Sequence, residues 1–184
     1  MGFSTQPLVV NDLDDLLRVG FVLDKALERE TALNEYQAGC AEGCGECDRC
    51  LGVRARLGSL LTHPSSFAWE VFSTDPVDLA GILVLSRVDP GRDATAIFTF
   101  FDGKLRDKTE VLQSWFDWSF QNFKLNRITL EVPAYAFAAL RHASKLGFEG
   151  PFEHEGFAVE GIKRSALLRD NQPVDMVVLG LVNE

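Results

Sequence analysis

Hydrophobic and polar positions along this chain follow two periods, and the switches between them outline its elements. Thr5 to Val10 is a short apolar run that predicts an opening strand. Asn11 then reads as a helix N-cap, with Asp12, Asp14 and Asp15 where carboxylates complement the helix dipole. Leu13, Leu16, Leu17, Phe21, Leu23 and Leu27 give a helical apolar face extending to about Leu33. Ala38 to Gly52 breaks that pattern with four glycines and every cysteine of the chain. A second, shorter helix is predicted from Leu51 to Leu61, stopped by His63-Pro64-Ser65-Ser66.

The period then shortens. Ala68 to Ser73, Leu79 to Val88 and Ala94 to Phe101 read as three strands. The second is so apolar that it is expected to be buried on both faces. Asp89-Pro90-Gly91 is the turn that follows it. After Asp102-Gly103 a helical stripe returns, formed by Val111, Leu112, Trp115, Phe116, Phe120 and Phe123. Arg127 to Val132 alternates as a strand, with Ile128, Leu130 and Val132 against Arg127, Thr129 and Glu131. Ala136 to Lys145 is a helix with Gly147 as its C-cap. Phe157 to Leu168 and Val174 to Val182 read as two closing strands, turned by Asp170-Asn171-Gln172-Pro173. The resulting order is β-α-α-β-β-β-α-β-α-β-β. It predicts an α/β fold (an α+β mixed sheet) with one parallel pairing, and a single domain over 1–184 with a Cys-rich loop insertion at 38–52.

Composition narrows the function. The 184 residues are 46% hydrophobic and 24% charged, which suits a globular domain with its own core. The net charge of −9 disfavours broad binding to phosphate backbones, so nucleic acid is not an expected partner. No apolar run approaches the roughly 18 residues of a membrane span. Met1 to Val10 lacks the basic and apolar regions of a signal peptide, so a cytoplasmic location is expected.

Two phrases carry a resemblance. Leu125-Asn126-Arg127-Ile128-Thr129-Leu130 and Lys145-Leu146-Gly147-Phe148-Glu149, set in this element order, resemble the GCN5-related N-acetyltransferase (GNAT) superfamily, in its RimJ/RimL-like branch. Thr109-Glu110 matches the opening of that family's third helix. The resemblance covers about Ala68 to Glu184, and Thr5 to Leu61 agrees by element order alone.

The resemblance implies acetyl-CoA as donor and an amine of a protein or small molecule as acceptor. The family's pyrophosphate loop falls on Gly103-Lys104-Leu105-Arg106, so Lys104 and Arg106 replace its two close-approach glycines. Lys104, Leu105, Arg106, Asp107 and Lys108 are the expected cofactor-binding residues, by charge and by backbone N–H groups at a helix N-terminus. The family's Asn and Ser after the fifth strand fall on Ala136 and Ala139, and its acidic tyrosine on Ala143. The catalytic candidates are therefore Glu131 as general base and Tyr135 as proton donor. Loss of so many cofactor contacts also supports an alternative: a catalytically silent protein of this fold that binds a partner.

The cysteines open a separate question. Cys40, Cys44, Cys47 and Cys50 fall within eleven residues. Four thiolates suit a tetrahedral zinc ion, and an iron–sulfur cluster takes four cysteines as well. Free thiols are the plainer reading. Zinc is preferred because the setting offers no redox partner, and a metal there would pin a loop able to meet the acceptor or a protein partner. The aromatics from Trp115 to Phe123 fit core packing better than base stacking, with Trp118 off the stripe. His63 and His142 stand alone, and His154 lies between Glu153 and Glu155.

Overall fold

A computed structural model describes residues 3–8, 18–20, 22, 55, 58–74, 77–101, 108–169 and 172–183. Nine strands and two helices are defined among them. The strands are β1 (Phe3–Leu8), β2 (Phe67–Thr74), β3 (Val77–Asp89), β4 (Asp93–Phe100), β5 (Arg127–Pro133), β6 (Phe152–His154), β7 (Phe157–Val159), β8 (Gly161–Arg169) and β9 (Gln172–Val182). The helices are α1 (Lys108–Phe123) and α2 (Phe137–Lys145). A seven-stranded sheet runs β1-β2-β3-β4-β5-β9-β8, and β6 and β7 form a separate hairpin. The β4–β5 pairing is parallel, as a strand–helix–strand crossover requires, and β1–β2, β2–β3, β5–β9 and β8–β9 are antiparallel. The sheet is mixed, as the element order predicts.

The chain clusters into two compact units, residues 1–86 with 98–105, and residues 87–97 with 106–184. In the first, β3 is buried without interruption from Leu79 to Ser86, the signature of a strand covered on both faces. Leu79, Ile82 and Val84 pack with Leu8, Val19, Val22, Leu61 and Ala68. Val19 and Val22 lie in the segment read as the first helix, where residues 18–20 and 22 are helical. Residues 58–62 are helical in the second segment, which His63 ends. Gly81 permits a tight approach, because a Cβ there would lie 2.7 Å from the Thr99 carbonyl oxygen. Glu70 on β2 is a buried carboxylate at 3% exposure. It is ion-paired with Arg18 and accepts a 2.9 Å hydrogen bond from Gln6 Nε2.

In the second unit, α1 buries Val111, Leu112, Trp115, Phe116 and Phe120, and Trp118 is exposed, both as the stripe predicts. The Phe116 ring meets Phe148 edge-on at 5.1 Å. On β5 burial alternates strictly, with Ile128, Leu130 and Val132 inside. Gly147 follows the Leu146 cap of α2 at φ +87°, where a side chain would be strained.

The segment from Phe157 to Leu168, read as one strand, is two. The hairpin β6–β7 reverses at Glu155 and Gly156, both at positive φ as a two-residue type I′ turn needs, and β8 starts afresh at Gly161. Glu160 stands at the break. It is ion-paired with Arg127, and its carboxylate occupies the space a Cβ on Gly180 would need.

Candidate functional site

Glu131 sits at a change in the sheet. The parallel register runs from Asp93–Arg127 to Ala96–Leu130 and ends there, while β5 stays paired with β9 through Pro133. Among the described residues, β5 has no registered β4 partner beyond Leu130. The Glu131 carboxylate lies on the half-buried face of the strand, opposite the side that buries Leu130 and Val132. It is held by Lys163 of β8, whose Nζ donates to Glu131 Oε1 at 2.5 Å.

The other expected residues are distributed as follows. Tyr135 lies in the turn between β5 and α2 and is 41% exposed. Lys108 is the first residue of α1 and is half-buried. Lys104, Leu105, Arg106 and Asp107 lie outside the described residues, as do Cys40, Cys44, Cys47 and Cys50. Ala136 is the residue preceding α2 and makes no side-chain cap there. Ala139 and Ala143 are on that helix, Ala143 fully buried.

One residue that the sequence reading left isolated carries an unmet polar atom. His142 on α2 is half-buried, and its Nε2 is buried with no hydrogen-bond partner. Burial holds its pKa below the ordinary 6.5, and the positive charges of Lys108 and Lys145 lower it further. His142 thus joins the start of α1 to the last turn of α2. An imidazole nitrogen left without a partner, in surroundings that disfavour its charged form, suits a hydrogen-bonding ligand. The only sequence signal was its spacing three residues before Lys145, which puts both on one side of the helix.

A cavity of about 380 Å³ lies among Asp117, Phe120, Lys124, Asn126 and Asn183. Its lining residues Asp117 and Phe120 lie about 14–18 Å along the helix axis from Lys108, so it belongs to a different place.

No protein-family model matches the chain, and no curated protein matches it in sequence. Solved structures do. The ribosomal-protein-S5-alanine acetyltransferase of Vibrio fischeri shares 15% identity at a TM-score of 0.66, covering 99% of this chain and 93% of its own. The spermidine N-acetyltransferase of Vibrio cholerae, solved in complex with CoA and spermine, shares 14% identity at a TM-score of 0.65. That match covers 98% of this chain and 95% of the other. At such identity the likeness is one of architecture, and it spans nearly the whole chain: this protein has the GNAT fold.

Proposed function

We propose that this chain is an N-acetyltransferase that moves the acetyl group of acetyl-CoA to an amine of a protein or small molecule. The observation that carries the reading is the fold, which matches acetyltransferases over nearly all of its length. Two features of the chain support it. The β4 ladder stops beside Glu131, and His142 has an unmet nitrogen near Lys108. Lys104, Leu105, Arg106, Asp107 and Lys108 would hold the pyrophosphate by charge and backbone N–H groups, in place of the glycines that the family uses. Glu131 would take the proton from the amine as nitrogen attacks the thioester carbonyl. A C–N bond forms, the C–S bond breaks, and Tyr135 would return a proton to the departing thiolate. Holding the amine against the thioester would supply much of the acceleration.

The test is calorimetric titration of acetyl-CoA, followed by assay of thiol release with spermine as acceptor. Binding in the micromolar range, ordinary for enzyme substrates, is expected. No binding at millimolar ligand would remove the transferase reading and leave the silent, partner-binding alternative.

The same reading takes 1–184 as a single cytoplasmic domain with a Cys-rich loop. The density of Cys40, Cys44, Cys47 and Cys50 supports a structural zinc site there, with an iron–sulfur cluster second. Such a loop could meet a protein partner. Purified, untagged protein should then carry about one zinc equivalent, and less than about half an equivalent of zinc or iron would sink the idea. Among the described residues, no helix is long and apolar enough to cross a membrane.

A further inference from the structure

Glu131 faces Val178 on β9, and Val178 faces Gly161 on β8. Residues directly opposite in a ladder share a face, and so does a residue two positions along. Glu131, Val178, Gly161 and Lys163 therefore line one side of the sheet. Lys163 stands beside Met176 rather than opposite Glu131, so its ammonium reaches across β9 to the carboxylate. Gly161 presents no side chain, and a Cβ there would meet nothing within 4 Å. Open room thus lies next to the pair.

The two partners are unequally anchored. The Glu131 side chain is 25% exposed and projects from a central strand, while that of Lys163 is 47% exposed on a strand at the sheet edge. A lysine head on a four-carbon stem is chemically a primary alkylammonium. It sits where a diffusible amine of the same kind would make the same bond.

We propose that Glu131 is a binding site for the ammonium of a linear alkylamine, and that Lys163 is its resident competitor. This rests on the transferase reading for its catalytic meaning, but the binding claim stands on the pair itself. Lys163 keeps the carboxylate neutralised until an amine displaces it, and so weakens the apparent affinity for the acceptor. It also sets the acceptor class. A primary amine on a flexible aliphatic chain reproduces the lysine head and its stem, which a bulky or aromatic amine does not.

Calorimetric titration of spermine into four proteins tests this: wild type, Lys163→Met, Lys163→Met/Glu131→Gln and Arg164→Met. Met keeps the length of the stem and removes the charge. The single variant should bind spermine roughly two- to fivefold more tightly than wild type, the upper part of the range that one partly exposed ion pair spans. The double variant should lose that gain. Arg164→Met makes the same change of net charge on the same strand, at a residue set against Asp175 at 3.8 Å, and should change affinity less than about twofold. An unchanged affinity in Lys163→Met, an equal gain in Arg164→Met, or a gain that persists without the Glu131 carboxylate would overturn the proposal. Acetyl-CoA binding to wild type is read in the same series. Its absence, with the spermine pattern intact, would remove the transferase and keep the ammonium site.

Discussion

Glu70 and Glu131 are glutamates on strands, each ion-paired with one cation, and their surroundings give those pairs different meanings. Glu70 is nearly sealed, and its carboxylate is committed to both Arg18 and Gln6. Burying a carboxylate costs several kcal/mol unless its partners replace water, so such a group is held in place and not exchanged. Glu131 is partly open, has one half-exposed partner on an edge strand, and lies where the parallel ladder ends. The exposed pair adds little to stability and can be traded for a ligand. Net charge is the same in both cases; what separates a structural acid from an exchangeable one is solvent access and the number of donors.

The sharpest way to break this contrast is Arg18→Met. Leaving Glu70 buried against Gln6 alone should cost about 3 kcal/mol in urea unfolding. Adding Glu70→Leu should restore most of it, since the uncompensated charge is then gone. Failure of the double variant to recover would mean that Arg18 acts by packing.

Gly150→Ala comes next. A Cβ there would overlap the backbone of Val159 and Glu160, which cannot yield as a side-chain tip can. A loss of about 1–3 kcal/mol is expected. Gly180→Ala should cost less, since the Glu160 side chain can rotate away at the expense of its bond to Arg127.

Lys163→Met should change unfolding free energy by under about 1 kcal/mol. A larger loss would make the Glu131 pair structural and erase the contrast with Glu70.

The smallest effect concerns His142. Its folded pKa lies below the unfolded value of 6.5, so the unfolded chain takes up the proton first as pH falls. The stability associated with the neutral ring is present above pH 6.5 and is lost progressively below it. Thermal midpoints measured from pH 7.5 to 5.5 should therefore fall less steeply in His142→Gln than in wild type. Equal slopes would mean that burial does not hold the His142 pKa down.

Much of the architecture is legible in local pattern. The alternation on β5 names its inner face residue by residue, because a strand with one buried side must repeat every two positions. The stripe on α1 and the two-sided burial of β3 follow from the same rule. The break at Glu160 is not legible. Phe157 to Leu168 carries no strong turn residue beyond Gly161, and the groups that Glu160 meets there, Arg127 and Gly180, are distant in sequence. The site divides in the same way. Glu131 can be singled out from the strand it occupies, but its bond to Lys163 spans 32 positions and two ladders. His142 gains its neighbour Lys108 from a different helix, which no spacing rule reports.

The uninterrupted burial of β3 has a consequence for how the chain is made. A long apolar strand emerging from the ribosome is an invitation to self-association until both its edges are paired. Here its partners are β2 immediately before it and β4 immediately after it. The first is waiting when β3 appears, and the second arrives after a single turn. The stretch most prone to aggregate thus has the shortest wait for cover, so a long insertion at Asp89–Arg92 should lower soluble yield more than one of equal length at the Glu155–Gly156 tip.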